Sequence, residues 1–169
     1  MKIKLFLLTV LLLVFTARGY AAQGAYASVG GGLLKFDDGF DTVKPKQVVL
    51  RIGYNFNEYI GLGYEGGFSL IKDELYNVDF DVKTTFLYLK GSFPISETSF
   101  VYLLAGPTNV KLTGSDRGVS VSSDDDDTGT GVGFETRLNT ARLFVDYITY
   151  YDKDGVDVHS LNIGAAFYF

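Results

Sequence analysis

The chain of 169 residues contains no cysteine and no tryptophan, and it has only three prolines, one histidine and one methionine. Without cysteine, a disulfide framework and any thiolate catalytic or metal site are excluded. Beyond Phe15, no apolar run approaches the roughly 20 residues that a helix needs to cross a bilayer. Helical periodicity is also scarce, so the fold has to be sought in strands.

The first 21 residues have the pattern of a secretory signal peptide. Lys2 and Lys4 precede an apolar run from Leu5 to Phe15, and the small residues Gly19 and Ala21 follow at a spacing suited to signal peptidase. The run is too short for a membrane-spanning helix, which makes an uncleaved anchor the weaker interpretation. We therefore expect residues 1–21 to be removed and residues 22–169 to form one domain of an exported protein.

The formal net charge of the full chain is −5. Loss of the cationic signal segment would make the mature chain more acidic still. An acidic surface disfavours nucleic acid as a partner.

Tyrosine (12), phenylalanine (14) and glycine (20) are abundant, and apolar residues alternate with small or polar ones. This period of two predicts β-strands with one apolar face. The pattern gives eight strands, which are AYASVGGGLLKF, QVVLRIGYNF, EYIGLGYEGGFSL, residues 78–93, residues 99–111, GTGVGFETRL, ARLFVDYITYY and SLNIGAAFYF.

The phase of two of these strands is ambiguous. In the fourth, Val82 is apolar on an even position and Leu87 on an odd one, which a β-bulge at residues 84–86 would reconcile. Alternatively, the first part of that strand stands clear of the apolar layer. In the fifth, Phe100, Tyr102 and Leu104 compete with Val101, Leu103 and Ala105, so the faces stay open at this stage.

The connections alternate between short and long. Short turns follow the second, fourth and sixth strands, whereas longer, mostly acidic segments follow the others, at residues 37–45, 71–79, 112–127 and 152–157. In an antiparallel barrel with an even number of strands, alternate connections lie at opposite ends. We therefore expect an eight-stranded up-and-down barrel with both termini at the short-turn end.

The two faces of the strands predict which side meets water. A soluble barrel would place the apolar face inside, as lipocalins do. The other face here is rich in glycine and balances three positive with three negative charges, which suits a narrow, filled lumen. The apolar face also has aromatic residues near the strand ends, as membrane barrels have toward lipid; they are Tyr54, Phe56, Phe93, Phe167 and Phe169 at the short-turn end, and Phe36, Phe68 and Tyr151 at the other. A transmembrane barrel is therefore favoured.

Three segments, GYNFNEYIGLGYEGGF, YLKGSFPI and GTGVGFETRL, are similar to segments of the small eight-stranded outer-membrane barrels of the OmpX/Ail and OmpA transmembrane-domain type. The resemblance extends over nearly all of residues 22–169, although this chain lacks tryptophan for its girdles. It implies a monomer in the outer membrane of a Gram-negative cell, in contact with lipid and lipopolysaccharide. It also implies termini and turns in the periplasm, loops at the cell surface and no cofactor.

The ending IGAAFYF resembles the C-terminal signal that the barrel-assembly machinery recognises, with a terminal aromatic residue and apolar residues at alternate positions before it. The matching positions in this chain are Ile163, Ala165, Phe167 and Phe169.

Charged residues on the inward face are the first candidate site. A barrel of eight strands is only just wide enough for its own side chains, and unpaired buried charges are costly. The charges therefore favour a structural network that fills the lumen, and a narrow small-solute channel is the alternative. The predicted members are Arg51, Glu65, Lys90, Glu135, Arg137 and Asp146.

Catalytic and metal chemistry are less well supported. Some barrels of this size modify lipids with histidine and serine, but His159 and Ser160 are neighbours in a strand and point to opposite faces. Asp124–Asp127 and the DKDGVD segment offer carboxylates to calcium, but no twelve-residue loop with a closing glutamate follows. A solvated acidic surface is the favoured interpretation. We therefore expect a structural or surface-interaction protein, such as an adhesin, that is not an enzyme and whose acidic loops are available to a ligand.

Overall fold

The computed structural model describes residues 24–37, 39, 42–71, 73–75, 78–116, 119–153 and 155–169. The predicted signal peptide lies outside these ranges, within which no helix is long and apolar enough to cross a membrane. Ten strands are present in the described chain: β1 (Gly24–Asp37), β2 (Thr42–Val43), β3 (Lys46–Asn55), β4 (Ile60–Ile71), β5 (Asp73–Leu75), β6 (Val78–Pro94), β7 (Ser99–Asp116), β8 (Val119–Leu138), β9 (Ala141–Lys153) and β10 (Val156–Tyr168).

The eight long strands form a closed antiparallel barrel, which confirms the predicted fold class. Each pairs with the next long strand along the chain, and β10 pairs with β1 from Tyr26 opposite Tyr168 to Asp37 opposite Asp157. The short strands β2 and β5 add to β1 and β6 at one end. Because the first and last strands pair, the barrel itself has no free edge.

Short turns define one end of the barrel, here called the turn end. They connect β3 to β4, β6 to β7 and β8 to β9. Asn57 stabilises the first turn because its side-chain oxygen accepts hydrogen bonds from the backbone N–H groups of Tyr59 and Ile60, both at 2.8 Å. In the turn between β8 and β9, Asn139 has a φ of 54°, which is the left-handed conformation that asparagine tolerates better than most residues. Both ends of the described chain lie here, where the Phe169 N–H donates to the Ala25 carbonyl at 2.9 Å.

The opposite end, here called the loop end, differs from the sequence prediction. Residues 112–127 were expected to form a long loop, but β7 continues to Asp116 and β8 begins at Val119. The two strands pair throughout, up to Asp116 opposite Val119. The prediction of a long loop was therefore wrong, because a hairpin outside the membrane has too few apolar residues to reveal its period.

The structure also resolves the two ambiguous strand phases. Pairing of β6 with β4 is continuous from Ile60 opposite Gly91 to Phe68 opposite Lys83, so the bulge proposed at residues 84–86 is absent. Even-numbered residues point inward from Val82 to Ser92 in β6 and from Phe100 to Val110 in β7. Irregular register occurs instead beside Lys46 and His159.

Large apolar side chains cover the outside of the barrel, as the sequence predicts. Ile52, Leu89 and Ile163 are 64%, 60% and 69% exposed, values that only lipid contact makes favourable for a whole row of such residues. Tyr54 and Phe93 belong to the aromatic positions at the turn end. Phe36 and Tyr151, expected in the opposite girdle, instead pack partly buried against the inner cluster described next.

The inside of the barrel is not only polar. An apolar cluster, here called the apolar plug, occupies the loop-end half of the lumen. It includes Leu34, Val82, Phe86, Val110, Ile148 and Val158. The expectation of a uniformly polar lumen therefore needs correction. Charged side chains lie below this apolar plug, toward the turn end.

Candidate functional site

The charged lumen is built by alternation, because every second residue of each strand points inward. Arg51 of β3 and Glu65 of β4 are cross-strand partners, and Asp146 of β9 projects from the opposite wall. Glycines make room for the large groups between them. A Cβ at Gly133 would collide with the ring of Tyr102, so this aromatic side chain needs glycine on the neighbouring strand.

Arg51 is the centre of the first group of charges. Its Nε donates to Glu65 Oε2 at 2.5 Å, and its Nη1 and Nη2 donate to the two oxygens of Asp146 at 2.6 and 3.0 Å. The three side chains are at most 5% exposed. One guanidinium therefore bridges two buried carboxylates from opposite walls, in a geometry that only arginine provides.

Hydroxyl and amide groups complete this arrangement. Tyr102 donates to Asp146 at 2.7 Å and Tyr150 donates to Glu65 at 2.5 Å. Asn162 donates to Asp146 at 3.0 Å and accepts from Gln47 at 3.1 Å. Carboxylates that receive several donors are far less costly to bury than isolated ones.

A second group of charges lies nearer the turn end. Glu135 accepts a hydrogen bond from Lys90 Nζ at 2.7 Å and another from Arg142 Nη1 at 2.5 Å. Lys90 also faces the ring of Tyr102 at 4.4 Å, and Arg142 faces the rings of Tyr168 and Phe100. These cation–π contacts stabilise two cations that share one carboxylate.

The structure brings together all of the predicted lumen charges except Arg137. That residue is half-buried at the turn end, directly opposite Arg142 in the hairpin of β8 and β9. Arg142, which was not among the predicted members, makes the ion pair with Glu135. The sequence signal for it was available, since Arg142 has the same parity as Asp146 in β9.

His159 and Ser160 lie on opposite sides of the barrel wall. Ser160 is fully buried in the lumen and donates to the Tyr150 hydroxyl at 3.2 Å. His159 lies on the outer face, where Nδ1 is 3.0 Å from Asp157 and the ring contacts Tyr147. The two residues therefore share no pocket.

The acidic residues suggested as calcium ligands are dispersed by the β-structure. The side chains of Asp124 and Asp126 both accept from the Asn109 amide, and Asp127 forms an ion pair with Lys153. Asp154 lies outside the described residues. Within the described ranges, no group of three metal-ligating side chains comes together.

The loop end carries a projecting sheet, defined here as β5, the first part of β6, the last part of β7 and residues 119–129 of β8. The pairing of β8 with β9 ends at Thr130 opposite Thr149, but its pairing with β7 continues to Val119. Residues 119–129 extend about 35 Å along the strand at roughly 3.3 Å per residue. From residue 119 to residue 126, β8 has no strand ladder on its second side among the described pairings. At Asp127 it meets β9, because the Asp152 N–H and the Lys153 ammonium both bond the Asp127 side chain.

The comparisons with known proteins agree with this geometry. Residues 6–169 match the model of the outer membrane protein beta-barrel domain family. The chain belongs to this family. No curated protein sequence matches it significantly. Membership assigns the protein to the outer membrane.

Solved structures of similar fold come from several bacteria. Ail, the attachment invasion locus protein of Yersinia pestis, has a TM-score of 0.68 at 24% identity, over 87% of this chain and 99% of Ail. Neisserial surface protein A has a TM-score of 0.71 at 15% identity, over 90% of this chain and 100% of its own. Another structure of Ail contains the heparin analogue sucrose octasulfate. At these identities, the likeness extends to the fold alone.

Proposed function

We propose that this protein is a surface-interaction barrel, whose lumen does not conduct solutes and whose projecting sheet binds a cationic partner outside the cell. The observation that carries the proposal is the unpaired edge of β8, beyond Thr130. Backbone N–H and C=O groups along such an edge can add an extended segment of another protein as a further strand.

Contacts inside the barrel support a closed lumen. Arg51, Glu65 and Asp146 bridge opposite walls, and the apolar plug covers them on the loop-end side. An ion on this path would have to separate buried ion pairs and pass between apolar side chains, and both steps are costly. The narrow channel remains the competing function.

Charge gives the preferred partner. Asp124, Asp125 and Asp126 are exposed along the edge strand, so positive side chains on an added strand would find carboxylates beside the backbone ladder. The same negative charges would repel a polyanion such as the heparin analogue that is bound to Ail. Contacts of the outer wall with lipid and lipopolysaccharide, and delivery by the barrel-assembly machinery, belong to the same proposal.

Binding can be measured with the refolded protein in lipid nanodiscs. The probe is a labelled synthetic peptide with alternating lysine and threonine, titrated at low salt and again at 0.5 M salt. We expect saturable binding that weakens at high salt. Changing Asp124–Asp127 to asparagine should weaken it at least tenfold. Removing residues 113–122, with Leu112 joined to Ser123 through Asn-Gly, should also weaken it, because this change shortens the free edge of β8 although it keeps Asp124–Asp126.

Two results would overturn the proposal. One is equal binding of the peptide by the wild type and the shortened variant, which would assign binding to another surface. The other is a steady single-channel conductance of the wild type in planar bilayers, unchanged by removal of residues 113–122, because that result would favour the channel.

A further inference from the structure

A small cavity in the turn-end half of the lumen is not used by the proposed surface function. Its volume is ≈ 20 Å³, and its lining includes Ser28, Arg51, Lys90, Glu135 and Tyr168. A cavity needs about 10–15 Å³ of such volume to hold one water molecule, so this one accepts a particle of one or two water sizes. Leu104, Phe144 and Ala166 also line it, so the polar groups form one part of a mixed wall.

Two hydroxyl groups in the lining have no hydrogen-bond partner. They are Ser28 Oγ and Tyr168 Oη, on residues that are 7% and 8% exposed. Buried polar groups nearly always have a partner, and leaving one unpaired costs about 1–3 kcal/mol. Lys90 adds to this demand because its ammonium has three donors, and Glu135 accepts one of them. The cavity is therefore short of an acceptor.

The local charge identifies the kind of acceptor. Lys90 and Arg142 share the single carboxylate of Glu135, so this group of three carries one excess positive charge, whereas Arg51 with Glu65 and Asp146 carries one excess negative charge. The second cation of the lining, Arg51, is already bonded to two carboxylates on three of its nitrogens. An added anion would consequently meet the ammonium of Lys90 and two hydroxyl donors, with its charge opposing the local excess.

We propose that the lumen binds one halide ion, chloride under physiological conditions, between Lys90, Ser28 and Tyr168. Larger anions such as sulfate exceed the space. The ion would complete the hydrogen bonds of this layer and join β1, β6 and β10, so that it stabilises the folded barrel as a ligand does.

The test uses the full mature barrel, refolded into bicelles in sodium bromide, sodium chloride or sodium sulfate at equal ionic strength. With sulfate holding the ionic strength constant, we expect the midpoint of thermal unfolding to rise with the logarithm of bromide or chloride concentration at about 1–50 mM, where the change in the non-specific stabilisation by sulfate is small. Crystals grown in bromide should give an anomalous peak within 3.5 Å of Lys90 Nζ, about the upper limit of a hydrogen bond to a large ion.

Tyr168→Phe removes one donor and keeps the ring, so it should reduce the bromide dependence several-fold. Thr84→Val is the matched control, because Thr84 Oγ1 is also buried and unpartnered but lies outside this cavity. It should keep the full bromide dependence. Lys90→Met should abolish the dependence, and Tyr168→Phe provides the test if that variant fails to fold.

Equal unfolding midpoints in bromide, chloride and sulfate would overturn the proposal, as would a cavity that contains water without anomalous signal. Either result would assign the cavity to a structural water, and neither would affect the proposed surface function.

Discussion

Replacing Arg51 with methionine tests whether the lumen network stabilises the barrel. The change keeps a long unbranched side chain but leaves Glu65 and Asp146 without the cation that bridges them at 2.5 and 2.6 Å. Removing one partner of a buried ion pair costs about 3–5 kcal/mol, because the remaining charge is uncompensated. Since two carboxylates lose their partner, we expect a loss near the upper end of that range.

A triple variant separates charge from packing. Arg51→Met combined with Glu65→Gln and Asp146→Asn removes every charge of the group but leaves side-chain oxygens for the Tyr150 and Tyr102 hydroxyls. Because replacing a whole buried ionic group is often close to neutral, we expect the triple variant to recover most of the loss, to within about 1–2 kcal/mol of the wild type.

Both variants can be measured by urea unfolding in lipid vesicles. The chain has no tryptophan, so circular dichroism and the mobility of unboiled samples on gels are the suitable signals. A loss below about 1 kcal/mol for Arg51→Met would refute the argument, because it would mean that the carboxylates do not need the guanidinium. A triple variant as unstable as the single one would assign the effect to packing.

Two further perturbations have defined outcomes. Gly133→Ala should destabilise the barrel by about 1–3 kcal/mol because the new Cβ displaces Tyr102, whereas Gly91→Ala, with no atom near its Cβ position, should be neutral or slightly stabilising in the same urea assay. At the loop end, the hydrogen bonds to Asp37 from Lys35, Gly39 and Thr42 lower the pKa of its carboxyl to about 2. Because the pKa is lowered in the folded state, the hydrogen bonds of the Asp37 carboxylate stabilise the loop end above pH 3.8, the ordinary pKa of this carboxyl. This stabilisation is lost as the pH falls toward 2. The protection of the Gly39 amide, which is the intrinsic exchange rate divided by the observed rate at the same pH, should fall over that interval in the wild type and show no such dependence in Asp37→Asn.

The barrel could be predicted because lipid and lumen impose opposite demands on alternate residues. In β3, Leu50 and Ile52 face outward while Arg51 faces inward, so three consecutive residues already reveal the membrane face. The same contrast is absent outside the membrane. Residues 113–116 and 119–127 lie in paired strands, but apart from Val119 and Val121 they are small or polar, and their composition alone therefore resembles a loop.

The arginine partner of Glu135 could not be predicted because it depends on register. Arg137 and Arg142 both have inward parity, and both lie close to Glu135 along or across the hairpin. The turn at Asn139 places the two arginines directly opposite each other. Two like charges in that position repel, so only one is expected to turn toward the carboxylate. The sequence pattern contains the two candidates but not the choice between them.

Tyr102 explains why the two groups of charges should be treated as coupled. Its hydroxyl donates to Asp146, and the face of its ring receives the ammonium of Lys90. Replacing Asp146 with leucine, which has no acceptor, would release the hydroxyl and allow the ring to move, which would weaken the contact with Lys90 in the other group. The effects of substituting Asp146 and Lys90 should therefore not be additive, although their ion pairs share no atom. A double-mutant cycle with Asp146→Leu and Lys90→Met should give an interaction energy of about 0.5 kcal/mol or more, and an energy of zero would mean that the two groups stabilise the lumen independently.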